Sequence, residues 1–483
     1  MFQRAKQFLF GYDALEARGK RRAARTRVQS EDTILTAKKR ESLAATAQDV
    51  QRNFAIAAWA IRQHLNYVSS FTFQSRTNVP EVDEAVEAFI GSWGNRFRCD
   101  VRAKHPFRRM IRMAEARRVV DGDFFFLKLA GQSSRGKLQA IEADRIQDPP
   151  ERDKNGQAAY DLKQWQQGVK LSPDGAARAY AIHTRDANGS KEFEKTVPAS
   201  NMFVHGFYDR FDQVRGVSPI AAAMNTWQDV YEGFDYALAK IKVAQLFGLV
   251  FYRDATEPFD ATTATLDNDG DGTADSSYEV NFGDGPQMLD LNPGDRAEFL
   301  ESKSPPSEVV NFLQMMIQVS LRSLDIPYSF YDESFTNFYG SRGGLIQYLK
   351  SCRSKIQDMQ ELLDEIAAWR IGMAIADGEL QLPRMMDYQE LTWEWVPDGV
   401  PWWDPAKEVS GHAMAIAAGL DNPQRICRQS GTDFYENIDL ISQANSYAES
   451  KGVSIVLPGV STAQAAMDTT PQDQQTPDQG NDQ

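Results

Sequence analysis

Cysteine is scarce in this chain. Cys99, Cys352 and Cys427 are odd in number and far apart in 483 residues. They support neither a disulfide framework nor a cysteine-rich metal site, and they suit a reducing compartment. Histidine is scarce too. Five widely separated residues give no H-E-x-x-H pair, so a histidine triad would need convergence from distant segments. There is no G-x-x-x-x-G-K-[ST] loop, so any ATP hydrolysis the protein depends on must come from a partner. C-x-x-C and G-x-S-x-G are missing as well; Tyr339-Gly-Ser-Arg-Gly343 departs from the latter at its first residue. An enzyme is therefore not expected. No apolar run is long enough to span a bilayer: the best, Val243 to Tyr252, is short and interrupted by Gln245 and Gly248. The N-terminal stretch is basic rather than apolar, so no secretory signal is expected.

Positive charge is also in deficit. The formal net charge is −14. Phosphate neutralisation supplies most of the affinity of a protein that grips duplex DNA, so this chain is not an ordinary DNA binder. An acidic balance is compatible with a protein that DNA slides past. Simple solubility is the blander reading, and charge alone favours it.

What is present is long amphipathic patterning. Leu345, Leu349, Cys352, Ile356, Met359, Leu363, Ile366 and Met373 recur in steps of three and four, with only Arg370 breaking the row. That period predicts a long helix burying one stripe against other helices. Before it lies Phe335-Thr-Asn-Phe-Tyr-Gly-Ser-Arg-Gly-Gly344, which reads as a polar, glycine-rich loop. A shorter stripe precedes the loop: Val309, Leu313, Met316, Leu321 and Leu324, closed by Ile326-Pro327. Another row runs Ile220, Met224, Trp227, Tyr231, Phe234, Leu238, Ile241, and a helix from Ile220 to Phe247 would extend roughly 42 Å.

Around these helices the pattern is mixed. Residues 1 to 50 hold Arg4, Lys6, Arg18, Lys20, Arg21, Arg22, Arg25 and Arg27, and read as a basic arm or solvated helix. Helices are expected at 53–70, 82–94 and 106–119, and strands at 124–129, 138–142, 178–184 and 202–205. Residues 249–303 read as a small insertion between two long helices. Residues 391–404 alternate as a strand, 405–450 return to helix, and the Gln/Asp/Thr/Pro tail is expected to be disordered. With this length, two to four modules and an α+β class are expected.

Several motifs fall in a telling order. They are Val197-Pro-Ala-Ser-Asn-Met-Phe-Val-His205, Gln213-Val-Arg-Gly-Val-Ser-Pro219, Leu291-Asn-Pro-Gly-Asp295, Pro305-Pro306, Pro401-Trp-Trp-Asp-Pro-Ala-Lys-Glu408 and Ala418-Gly-Leu420. Together with the order of helices and insertion, they resemble the portal proteins of lambda-like tailed bacteriophages. Near the loop, Asn337, Phe338, Ser341 and Arg342 follow that family's pattern, while Tyr339 and Gly340 depart from it.

The resemblance implies a portal fold: an α/β wing (51–217), a two-helix stem (218–248 and 305–326) and a small α/β clip (249–304). It further implies a tunnel loop (327–344), a long kinked helix with a wing strand (345–404) and a helical crown (405–455), flanked by the arm (1–50) and the tail (456–483). It implies a homo-oligomeric ring, typically a dodecamer, at one capsid vertex of the virion, assembled in the host cytoplasm. Double-stranded DNA would pass through it. The terminase large subunit, head-completion or adaptor proteins, and major capsid and scaffold proteins would be its partners, with no membrane involved.

Candidate site residues follow. Asn337, Tyr339, Ser341 and Arg342 would face the channel, and Trp227, Phe234, Leu238, Leu349 and Ile356 would pack subunits together. Arg342 could equally pair with Asp332 or Glu333. No cofactor is required, but Asp267, Asp269, Asp271 and Asp275, with Gly272, have the spacing of a calcium loop. Position 12 is Tyr278 rather than a bidentate Glu, so an acidic solvated turn is the competing reading. His205 reads as a packed residue rather than a ligand. Trp393, Trp395, Trp402 and Trp403 read as core and subunit packing. Two rival functions share some of these features. One is a metal-dependent phage nuclease using the 267–275 carboxylates, the other an adhesin or tail structural protein.

Overall fold

The structure, a computed structural model, describes residues 28–152, 160–246, 249–253, 295–299, 307–334, 338–383, 386–400 and 404–453. In chain order these form α1 (Ala37–Asn53), α2 (Ala55–Val68), β1 (Phe71–Ser75), α3 (Pro80–Trp93), α4 (Phe107–Asp121), β2 (Asp123–Lys128) and β3 (Leu138–Glu142). Then come β4 (Trp165–Gln166), β5 (Val169–Leu171), β6 (Ala177–Arg185), β7 (Lys191–Pro198), β8 (Met202–Gly206) and α5 (Met224–Leu246). The chain continues with β9 (Leu249–Arg253), β10 (Asp295–Phe299), α6 (Ser307–Leu321), α7 (Phe338–Ala376), β11 (Trp393–Pro397), α8 (Pro405–Ala417), α9 (Pro423–Gln429) and α10 (Phe434–Ser450). Two compact units divide them: residues up to 66 with 110–353, and 67–109 with the rest.

In the first unit, β2 is the middle strand of the sheet β3-β2-β8, and β4-β5-β6-β7 form a second antiparallel sheet. Phe124-Phe-Phe-Leu127 is buried on both faces, which suits the middle of a sheet. Phe125, Leu127 and Ile141 of the first sheet pack with Val169, Tyr180, Ile182 and Val197 of the second. β7 eluded the sequence reading because Lys191, Glu192, Glu194 and Lys195 hide its alternation; its residues are mostly exposed or half-buried. β9 and β10 pair antiparallel, Leu249 opposite Phe299; they are the only part of 249–304 described. α5 and α6 form a helix pair, with Leu313 of α6 lying where a side chain on Gly233 of α5 would begin.

In the second unit, β1 pairs with β11, Phe71 opposite Pro397. α3 buries Val82, Val86, Ile90 and Trp93, steps of four, four and three that define one face. Trp93 packs on Phe107, with ring centroids 4.9 Å apart, and Trp395 on Phe73 at 5.0 Å. Trp395 thus sits in the core as expected, and Trp402 and Trp403 lie outside the described residues. The helices α8, α9 and α10 each start at an acidic or amide cap: Asp404, Asn422 and Asp433. Arg76 at the end of β1 reaches Asp433 at 2.6 Å.

Three expectations need correction. Residues 37–50 are not a solvated arm: α1 is packed in, with Ala47 and Val50 fully buried and Arg40 donating to Gln167 and to the Gly216 carbonyl. The row from Ile220 starts as a tight 3-10 turn, Pro219–Ala222, before the helix proper. The glycine-rich stretch before Leu345 is not all loop. α7 begins at Phe338 and runs through Gly340, Gly343 and Gly344 as one helix of 39 residues. Each helical glycine costs about 1 kcal/mol against alanine, but a helix already nucleated and packed downstream extends cooperatively through them. Arg370, which interrupts the apolar row, does not interrupt the helix. Its guanidinium lies 4.7 Å over Phe89 and pairs with Glu379.

Candidate functional site

The approach to α5 is held by a buried polar clamp. Arg215 binds Asp123 through two contacts, Nε to Oδ2 at 2.6 Å and Nη2 to Oδ1 at 2.9 Å. Its remaining donors reach the carbonyls of Ala143, Ile146 and Gln167 at 2.8, 3.0 and 2.8 Å. The forked guanidinium satisfies a buried carboxylate and three backbone acceptors at once, which a lysine could not. Next to it Gly216 crosses Gly122 (φ +98°), where a Cβ on either residue would collide with the other's backbone. Ser218 donates to the Val119 carbonyl at 2.7 Å. The stretch 213–219 is therefore fixed where it leads into α5.

A second buried cluster lies in the same unit. Glu115 accepts from Arg118 at 2.8 Å and meets Nε2 of His64 at 2.7 Å and of His205 at 2.9 Å. Burial alone would raise the Glu115 carboxyl. The Arg118 charge and the two histidine hydrogen bonds outweigh it and hold the group well below the usual carboxylate range. His205 is thus a packed, partnered residue in the core.

The helix pair α5 and α6 is where polar packing gives way to exposed apolar surface. Trp227 and Val230 are each 2% exposed and belong to the unit's own core. From Tyr231 onward the row faces solvent: Phe234 is 42% and Tyr236 74% exposed, and Leu238 is exposed with them. On α6, Phe312, Met315 and Val319 do the same, Val319 at 60%. Between the helices lies a cleft of about 450 Å³, lined chiefly by Tyr236, Ala237, Phe312, Leu313 and Met316, with Asp229 and Lys240 among its walls. Trp227 is therefore removed from the expected subunit-packing set, because its own chain already buries it. Leu349 and Ile356 on α7 are half-buried.

Of the expected channel residues, Tyr339 is 79% exposed, and Ser341 and Arg342 are half-buried, all in the first turns of α7. Asn337 lies outside the described residues, as do Asp267, Asp269, Asp271 and Asp275. Among the described residues no group of three or more His, Cys, Asp or Glu is placed to hold a metal ion, and no helix is long and apolar enough to cross a membrane.

The sequence profile of the phage portal protein, lambda family, matches residues 18–355. The chain belongs to that family. This portal-family membership covers the two antiparallel sheets of the first unit, the helix pair and the start of α7, and it replaces the nuclease and adhesin readings. No curated protein matches the chain. Among solved structures it is similar to a chain of the virion of native gene transfer agent (GTA) particle, at 12% identity and TM-score 0.47, covering 82% of this chain and 99% of that one. Chains from the neck of empty GTA particle computed with C6 symmetry (11%, TM-score 0.49) and of native GTA particle with C12 symmetry (12%, TM-score 0.47) each cover 80% of this chain and 93% of their own. Sequence reasoning found the motifs at 197–205 and 213–219 but not their partners, Glu115 and Asp123, which no local spacing marks.

Proposed function

We propose that this portal-family chain assembles into a homo-oligomeric ring, a dodecamer, at one capsid vertex of the virion. DNA enters during packaging and leaves at ejection through the ring's centre. The ring forms in the host cytoplasm. It serves the terminase large subunit during packaging and head-completion or adaptor proteins afterwards, within a shell of major capsid protein built with scaffold. The chain is a conduit and platform, and the ATP-driven work belongs to the terminase. The observation that carries the ring is the apolar face of α5 and α6, where Phe234, Leu238, Phe312, Met315 and Val319 are exposed in the single chain. A contiguous apolar surface of this kind calls for a partner, and a second copy offers the same helices. Phe234 and Leu238 are the proposed seam residues, supported by Leu349 and Ile356 on α7. Asn337, Tyr339, Ser341 and Arg342 are proposed to face the channel. No cofactor is required, and Asp267, Asp269, Asp271 and Asp275 are the one proposed calcium loop. Negative-stain microscopy of the purified chain tests the reading. Rings with a central hole support it; a compact monomer or a fibre rejects it.

A further inference from the structure

The segment 96–109 reads Arg-Phe-Arg-Cys-Asp-Val-Arg-Ala-Lys-His-Pro-Phe-Arg-Arg. It packs six Arg or Lys residues and a single acid into a chain whose overall balance is strongly negative. All six cations, Arg96, Arg98, Arg102, Lys104, Arg108 and Arg109, are exposed. None forms an ion pair with a carboxylate among the described residues, whereas Arg76, Arg117, Arg185, Arg215 and Arg428 all do.

The acid that could neutralise the run is used internally. Asp100 is buried and accepts from the backbone N–H groups of Arg102, Lys104 and His105, each at 3.0 Å. The loop closes on itself, the Phe107 N–H donating to the Gly94 carbonyl at 2.9 Å. The buried Cys99 thiol lies 3.5 Å from the Gly94 carbonyl and 3.6 Å from that of His105. Phe107 anchors the loop on Trp93. A solvated charge run needs no such frame. Here a fixed backbone displays six cations and turns its only carboxylate inward.

We propose that this loop binds the phosphate backbone of double-stranded DNA, as a contact separate from the proposed channel residues. The partner class rests on the portal reading, which brings duplex DNA to the protein. Five of the six cations are arginines, whose forked guanidinium matches phosphate oxygens. Duplex DNA offers a continuous charge array, one per about 1.7 Å of axis. The acidic balance of the chain repels phosphate elsewhere, so DNA near its surface is steered toward basic stretches, of which this loop is one. A contact made to phosphates is independent of base sequence.

The test uses the full chain and a mixed-sequence duplex of about 30 base pairs, followed by fluorescence anisotropy over a salt series. The unmodified chain binds, and log K falls linearly with log[salt], with a slope of about −0.9 per phosphate contacted. The triple variant Arg98→Gln, Arg102→Gln, Lys104→Gln lowers affinity at least about tenfold at low salt and makes the slope shallower by about 2 to 3. Arg98→Lys with Arg102→Lys keeps most of the binding, and Arg21→Gln with Arg22→Gln in the basic arm leaves the loop's share of the slope in place. Equal affinity and slope for the triple variant and the unmodified chain would overturn the proposal. So would unchanged DNA binding with altered ring mass, which would assign the loop to a neighbouring copy. Microscopy of the same variant separates the two readings, since normal rings without any loop effect on DNA leave the portal reading standing and remove only this one.

Discussion

Asp121 ends α4 buried, with Gln48 donating to its Oδ1 at 2.9 Å and Arg117 lying 3.3 Å from its Oδ2. Burial pushes its carboxyl up to about 6, against the pull of Arg117 and Gln48. A raised carboxyl favours folding in its protonated form. That contribution is full below the unfolded value, about 3.9, and is lost as pH rises through about 6. Within this window stability falls by up to about 1.4 kcal/mol per pH unit. Asp121→Asn keeps the shape and removes the titration. It is expected to be near neutral at pH 4 and stabilising by about 2 kcal/mol at pH 7.5, read by chemical denaturation of both proteins at both values. A difference that does not change with pH would show Asp121 to be ionised throughout. Glu115 titrates with the opposite sign and in a lower range, and it is common to both proteins, so it cancels. Neither group was legible in the sequence. No local spacing marks either residue, because burial depends on which distant segments cover them.

Periodicity was legible at the scale of the element. The rows at 220–241 and 345–373 became α5 and most of α7, since apolar spacing survives any packing partner. What composition misjudged was the start of α7: glycines signal a loop, but a long packed helix overrides a weak local preference. Gly343 is the informative position, because a side chain there would meet nothing within 4 Å. Gly343→Ala is expected to stabilise the helix start by up to about 1 kcal/mol and to leave rings intact. If packaging needs these first turns to unwind and follow the DNA, the same variant packages or retains less DNA. Normal-length packaging by a measurably stabilised Gly343→Ala ring would show that the turns stay helical in the working channel. Gly344 is less suitable, since its added Cβ would press on the Ser329 hydroxyl at 3.1 Å. The acidic loop has its own test. Calcium after EDTA treatment is expected to raise the melting temperature, and Asp267→Ala with Asp271→Ala to abolish the rise; unchanged melting of the unmodified protein would leave an acidic turn.

For the whole molecule, the order of elements carried more than any single motif. The helices α5, α6 and most of α7 were readable because each keeps a helical apolar period, and the order of the motifs matched one family. The division of the row on α5 was not readable. Sequence alone puts Trp227 and Phe234 on the same stripe, yet the chain buries the first at 2% exposure and leaves the second at 42%. That division separates folding from assembly. Trp227→Asp is expected to unfold the first unit, because it drives an unpaired charge into a packed core. Phe234→Asp meets water in the isolated chain and costs little there, so its secondary structure and melting should stay close to those of the unmodified protein. In a ring the same carboxylate would be trapped unpaired against a neighbour's apolar helix, and the ring should not form. Mass measurement in solution reads the outcome. Folded monomers of Phe234→Asp place the seam on α5, and rings of normal mass move it to another face of the chain.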